Sequence, residues 1–317
     1  MAVERPAKQA LRQQWLEQVR TVMGGATDKQ CLYLTLPGAL GRDIEVLAED
    51  GIVRRTETGA IDERDQHLVV AIESNDAAIL ELQHRFPGLR VLQDDLRNLL
   101  HSDSMLAWPA KNIRNYFRAL VINLDLNQCL DSVGPGDAPE FPVLRLIEKI
   151  AAIHDEGGTS EWTLCLTLHG EVHWAPTLSK RIQSFLHENI SRSGEFAAAC
   201  SAVLGADLFA QIVGDKALDI ASLTQDDQQR VLLSLVPKRI VADHFRKWRI
   251  NVALSCMYGH DEPAFAPMVS WIFTFTRSAD GISEPDRTYR ELVAQALANV
   301  SALSADGNFT RLVESAS

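Results

Sequence analysis

Acids and amides sit directly behind short apolar runs at three points of the sequence: Glu73 closes HLVVAIE, Asp94 and Asp95 follow LRVLQ, and Asn123, Asp125 and Asn127 punctuate the end of ALVINLDLN. Apolar runs of this length read as buried strands, so each polar group falls at a strand's carboxyl end. Side chains alternate along an extended chain, which puts Asn123, Asp125 and Asn127 on one side and Leu124 and Leu126 on the other. The same alternation turns Asp94 and Asp95 apart, so they do not form a catalytic carboxylate pair. In open α/β sheets the ligand lies beyond the carboxyl ends of the strands, where such groups hold it by hydrogen bonds. Ahead of them all is the loop Leu36-Pro37-Gly38-Ala39-Leu40-Gly41-Arg42-Asp43. A dinucleotide fold asks here for GxGxxG, whose glycines let backbone close on a pyrophosphate. This chain offers only Gly38 and Gly41, a GxxG turn, which disfavours an NAD-dependent oxidoreductase.

Other reactive residue types carry less. In His169-Gly170-Glu171-Val172-His173 two histidines lie four apart, as in a helical zinc motif. The glutamate is out of place and Gly170 follows a strand, so these are polar loop residues and no metal ion is expected. The five cysteines are odd in number and form no CxxC pair, which reads as reduced core thiols. No GxSxG elbow and no Walker loop is present. Lys238, Arg239, His244, Arg246, Lys247 and Arg249, interleaved with Phe245 and Trp248, form the most basic stretch. Such a stretch can grip a phosphate backbone. At helical spacing Ile240, Phe245 and Trp248 make a core stripe with a solvated cationic back, which is the favoured reading.

The elements that must position the strand-end groups follow from periodicity. Residues 6–23 repeat Leu11, Trp15, Val19 and Met23 every four residues, an amphipathic helix closed by Gly24-Gly25. Apolar strands at 31–36, 67–73, 89–93, 119–126 and 162–168 alternate with helices at 40–50, 76–85 and 141–154. Strands apolar on both faces, joined through helices, make a mostly parallel sheet covered on both sides, a doubly wound α/β fold. Residues 178–248 then read as helix alone, and 250–258 and 268–276 as two strands in succession, an antiparallel hairpin. A helix at 286–300 and a polar tail that frays complete the chain. The domains are therefore an N-terminal helix (1–30), an α/β core (31–177) whose strand-end groups could hold a cofactor, a helical insertion (178–248) and the hairpin with its terminal helix (249–317). No run approaches the roughly 20 apolar residues that span a bilayer. The net charge of −11 gives no general attraction to nucleic acid or anionic membrane. A cytoplasmic protein without membrane partners is expected.

Five β-α units followed by a hairpin resemble the class I S-adenosylmethionine-dependent methyltransferases, a Rossmann-like fold with a seven-stranded sheet whose final strand inserts antiparallel beside its neighbours. The resemblance covers roughly residues 10–277 and rests on topology and on the acids already named. It implies S-adenosylmethionine as cofactor, with Gly38 and Asp43 at the methionine end. Glu73 would sit on the ribose hydroxyls, and Asp94 or Asp95 on the adenine amino group. In amine methyltransferases a polar (D/N)PP(Y/F) motif ends the fourth strand. Asn123-Leu124-Asp125-Leu126-Asn127 is similar in position and polarity but lacks the prolines and the aromatic. Asp125 and Asn123 are thereby the catalytic candidates, orienting an acceptor that is an amine or a nucleic-acid base. The acceptor, nucleic acid or protein amine, would enter through residues 178–248. The departures in the first loop and in the fourth-strand motif equally suit a catalytically silent relative that serves as an interaction or regulatory protein.

Overall fold

The computed structural model describes residues 5–23, 31–94, 116–126, 129–130, 132–133, 139–140, 142–171, 176–214, 217–259, 266–278 and 285–312. Asp95, Asn127, His173 and the Gly24-Gly25 stop lie outside the described residues. The chain divides into two units. One comprises Ala10–Leu126 and Arg145–Leu166, the other Met1–Gln9, Asn127–Leu144 and Thr167–Ser317.

The first unit holds most of helix α1 (Pro6–Met23), then β1 (Tyr33–Thr35), α2 (Arg42–Glu49), β2 (Val69–Glu73), α3 (Asp76–Arg85), β3 (Arg90–Gln93), β4 (Val121–Asp125), most of α4 (Pro142–Glu156) and the start of β7 (Glu161–His169). Leu11, Trp15 and Val19 of α1 are buried as their spacing predicts, whereas Met23 is 42% exposed, so the stripe ends one turn early. β1 pairs in parallel with β2 on one side and β4 on the other, and β2 pairs in parallel with β3. Chain order therefore reverses at β1, the switch point of the sheet. Val69 to Ile72 and Val121 to Leu124 are buried throughout, as strands covered on both faces must be. α3 starts where Asn75 accepts a hydrogen bond from the Ala78 amide at 3.1 Å, with Asp76 in its first turn and Arg85 in its last.

The second unit carries short β5 (Ser132–Val133) and β6 (Pro139–Glu140), then α5 (Pro176–Arg192), α6 (Gly194–Leu204), α7 (Ala206–Val213) and α8 (Gln225–His244). β8 (Trp248–Tyr258), β9 (Met268–Arg277), α9 (Pro285–Gln295), β10 (Val300–Leu303) and β11 (Phe309–Arg311) complete it. β8 and β9 are the expected antiparallel hairpin, in register from Trp248↔Arg277 to Tyr258↔Met268 with a shift between Val252 and Leu254. Gln229 of α8 fastens its turn, donating through Nε2 to the Tyr258 and Met268 carbonyls at 3.3 and 2.8 Å. α8 is buried almost continuously from Gln228 to Val241.

Strand pairing runs β11-β10-β8-β9-β7-β4-β1-β2-β3, nine strands where the sequence suggested seven. The two additional strands come from residues read as helix end and frayed tail. α9 stops at Gln295, and Asn299 turns the chain toward β8 by donating through Nδ2 to the Val252 carbonyl and accepting at its own carbonyl from the Ser255 amide, both at 3.0 Å. β10 then runs parallel to β8, burying Val300 and Leu303 completely. The tail folds back antiparallel as β11 through Asp306-Gly307, with Gly307 at φ 87°. An unpaired β8 edge is a strong template, and its satisfaction outweighs weak local helix preference.

Candidate functional site

β1 ends at Thr35, which lies opposite Ala71 of β2 and Asn123 of β4. Continuing that register by two residues sets Glu73 and Asp125 level with Pro37, one on each side of the first loop. Glu73 pairs with Gln93 of β3, and the Asp94 amide donates to the Glu73 carbonyl at 3.2 Å. Gly38, Glu73, Asp94 and Asp125 are thus gathered along one carboxyl edge by four strands, and the three acids are each half-buried. All of them belong to the first unit.

The two glycines of the loop do different work. Gly41, at φ 54°, caps α2, and a Cβ there would lie 2.7 Å from a Phe86 ring carbon and 2.9 Å from Leu82. Gly41 is therefore what lets α2 approach α3. Gly38, at φ 57°, has no atom of the described residues within 4 Å of where a Cβ would stand, so among them the backbone is open on that side. Glu73 is held in place by its own chain, Oε1 accepting from the Ser74 and Asn75 amides, each at 2.9 Å. Among the described residues Oε2 accepts no hydrogen bond.

Asp43 and Asn123 are placed beneath this edge rather than along it. Asp43 is only 7% exposed; its Oδ2 accepts from the Tyr33 hydroxyl at 3.3 Å and from the Thr35 hydroxyl, and its Oδ1 from the Ile44 amide at 3.1 Å. Asn123, 1% exposed, hydrogen-bonds the Tyr33 hydroxyl with its side chain, while its Oδ1 is buried without a partner. Burial, then the Asp43 charge, pushes the Tyr33 phenol well above its ordinary range, so it stays protonated and donates. The cluster ties the last residue of β1 to the first turn of α2 and so fixes both ends of the loop. Tyr33 and Thr35 were not singled out in the sequence, yet they carry a signal: two polar groups at alternate positions of an otherwise apolar run share a face and must be satisfied.

The structure also accounts for the discounted features. Glu171 accepts from Gln225 Nε2 at 2.9 Å, and the Gly170 amide donates to the Pro267 carbonyl at 2.7 Å. A Cβ on Gly170 would come 2.5 Å from Gln229 Cγ, so this glycine is there for packing. Cys165, Cys200 and Cys256 are buried thiols, and burial pushes Cys200 and Cys256 up to about 12. None of the three presents a thiolate nucleophile.

A family model described as PP_RS20740-like matches residues 2–317. The chain belongs to the PP_RS20740-like family. No curated protein matches it. What this PP_RS20740-like site can do is set by its charge: three carboxylates on one edge favour a ligand that offers hydroxyl or amino donors and carries positive rather than phosphate charge.

Proposed function

We propose that this protein is an S-adenosylmethionine-dependent methyltransferase, N-directed, acting on an amine or a nucleic-acid base. The observation that carries the reading is the switch point at β1, where Glu73 and Asp125 flank a loop whose Gly38 backbone is open. The strand order lends support, since β9 lies between β7 and β8 and runs antiparallel to β8, the arrangement of the final strand that the resemblance implies.

The residues fit the ligand's chemistry. Glu73 Oε2 accepts from the ribose hydroxyls, Asp94 (or Asp95 beside it) from the adenine amino group, and the Gly38 backbone borders the methionine end. Asp43 acts there by fixing the loop through Tyr33 and Thr35. When bound, the donor would supply an electrophilic methyl group: its carbon–sulfur bond would break to leave a neutral thioether as the acceptor nitrogen bonds to the carbon, and the nitrogen's proton would pass to solvent. Little acid–base help is needed, so the chain's contribution is positioning and desolvation, with Asp125 accepting a hydrogen bond from the acceptor amine. Residues 178–248 would present the nucleic acid or protein that bears this amine.

A second reading is favoured by one observation: the Asn123 side chain is turned to Tyr33 inside the sheet, which leaves Asp125 as the described polar group of the fourth-strand motif at the edge. On that reading the protein is a catalytically silent relative with an interaction or regulatory role. Calorimetric titration with S-adenosylmethionine and S-adenosylhomocysteine separates the two. Micromolar binding to the wild type, lost in Glu73→Ala, is the expected result. Folded wild-type protein that binds neither compound overturns the methyltransferase reading.

A further inference from the structure

In the second unit a second set of charged groups converges on one aromatic ring. Phe185 of α5, half-buried, has Arg239 Cζ 4.9 Å, Lys238 Nζ 5.2 Å and Arg181 Cζ 5.4 Å from its ring centroid. Arg181 precedes Phe185 by one turn of α5, and the other two cations come from α8. Attraction between cation and ring accounts for one such contact, not for three like charges drawn together. The neighbouring acids already have partners: Glu188 pairs with Arg192 at 2.8 Å and Asp243 with Arg239 at 3.0 Å. Positive charge is left over.

What remains is poorly satisfied. Lys238 is 3% exposed, and among the described residues no acceptor lies within hydrogen-bonding distance of its ammonium. Arg239 Nε is buried and has no hydrogen-bond partner. Burial, reinforced by the Arg239 charge, brings Lys238 down to about 8 against the pull of Glu188 and Asp243. Arg239 Nε is thus a buried donor without a partner, which is costly unless something fills the place, while the Lys238 ammonium beside it still reaches solvent.

We propose that the surface of α5 and α8 over Phe185 is an oxyanion-binding site, taking a phosphate or carboxylate group through Lys238 Nζ and Arg239 Nε, with Arg181 closing over it from the solvent side. Lys238 and Arg239 supply charge-assisted donors in a low-dielectric setting, the conditions under which such bonds are short and strong. The site stands on the second unit alone and does not depend on the methyltransferase reading.

The test is thermal unfolding of the full chain at constant ionic strength, with chloride replaced stepwise by inorganic phosphate or, in a parallel arm, by succinate. Wild-type protein is expected to gain a saturable rise in Tm at millimolar anion, as a ligand bound only by the folded state must give. Lys238→Met weakens the apparent affinity about 10-fold or more, and Arg181→Gln, on an exposed position that leaves folding intact, about 3-fold. Response to phosphate alone assigns a phosphoryl ligand, to succinate alone a carboxylate, and to both a general oxyanion site. Absence of a saturable rise in the wild type overturns the proposal. So does a rise of equal size in wild type, Lys238→Met and Arg181→Gln, which marks general salting of the surface.

Discussion

Asp43 and Lys238 are buried to a similar degree, 7% and 3% exposed, and the protein treats them in opposite ways. Asp43 has a hydroxyl, a phenol and a backbone amide on its carboxylate, all from residues of its own unit. Lys238 has an aromatic ring, a neighbouring arginine and no acceptor among the described residues. A buried charge whose hydrogen bonds close internally works as a fastener. One whose donors stay open is a receptor for something else. Whether a buried charge's hydrogen bonds are met separates scaffold from site more sharply than residue type does, since a strand-end acid and a helix lysine are both candidates on chemistry alone.

Asp43→Leu strands the Tyr33 and Thr35 hydroxyls in the interior and is expected to cost about 3 kcal/mol in denaturant unfolding, whereas Asp43→Asn, which keeps an acceptor, costs about 1 kcal/mol. Equal losses for the two would show that volume and not hydrogen bonding holds the cluster. The loop glycines give the next largest effect. Gly41→Ala drives a methyl into Phe86 and Leu82 at a positive φ and should lose about 2 kcal/mol of stability. Gly38→Ala meets only the φ penalty, about 1 kcal/mol, and its larger effect should fall on ligand affinity.

Lys238 contributes a weaker, pH-dependent effect. Its folded pKa, about 8, lies below the ordinary 10.5, so between those values the unfolded chain holds more protons than the folded one. Stability gained from this group therefore rises as pH climbs from 8 toward 10.5, and the full penalty applies below 8. Arg239, Glu188 and Asp243 are the charges that act on it. Unfolding free energies of wild type minus Lys238→Met, followed across that range, should show the rise; a flat difference would place the ammonium in water.

The fold was largely legible because its strands are apolar on both faces and its helices are punctuated by glycine or capped by residues such as Asn75. Strands β1 to β4, β7 and the β8–β9 hairpin fall where periodicity places them. β10 and β11 were not legible: four residues, Val300 to Leu303, carry too little pattern to outvote the helix ahead of them, and their strand conformation comes from a partner edge distant in sequence. The Asp306-Gly307 turn was the signal to use. Glu73, Asp94 and Asp125 stand at strand ends, where periodicity places them, while Tyr33 and Thr35 lie within an apolar run that hides their polar pairing. Lys238 was read as part of a solvated cationic back, which holds for the exposed Arg246, Lys247 and Arg249. It fails for Lys238 because α8 is packed by strands and helices on several sides, and a helix buried nearly all round has no polar stripe to read.

The late strand β10 also has a bearing on how the chain survives its own synthesis. β8 can pair with β9 as soon as the hairpin forms, but its other edge waits for residues more than forty positions further on. Until Val300 to Leu303 docks, that edge is a row of open backbone donors and acceptors beside buried Val252, Leu254 and Cys256, the kind of surface on which a second copy can add a strand. The last short strands thus act as a seal against self-association, and a chain interrupted after α9 would be expected to aggregate through β8 while its parallel strands β1 to β4 remain able to pair.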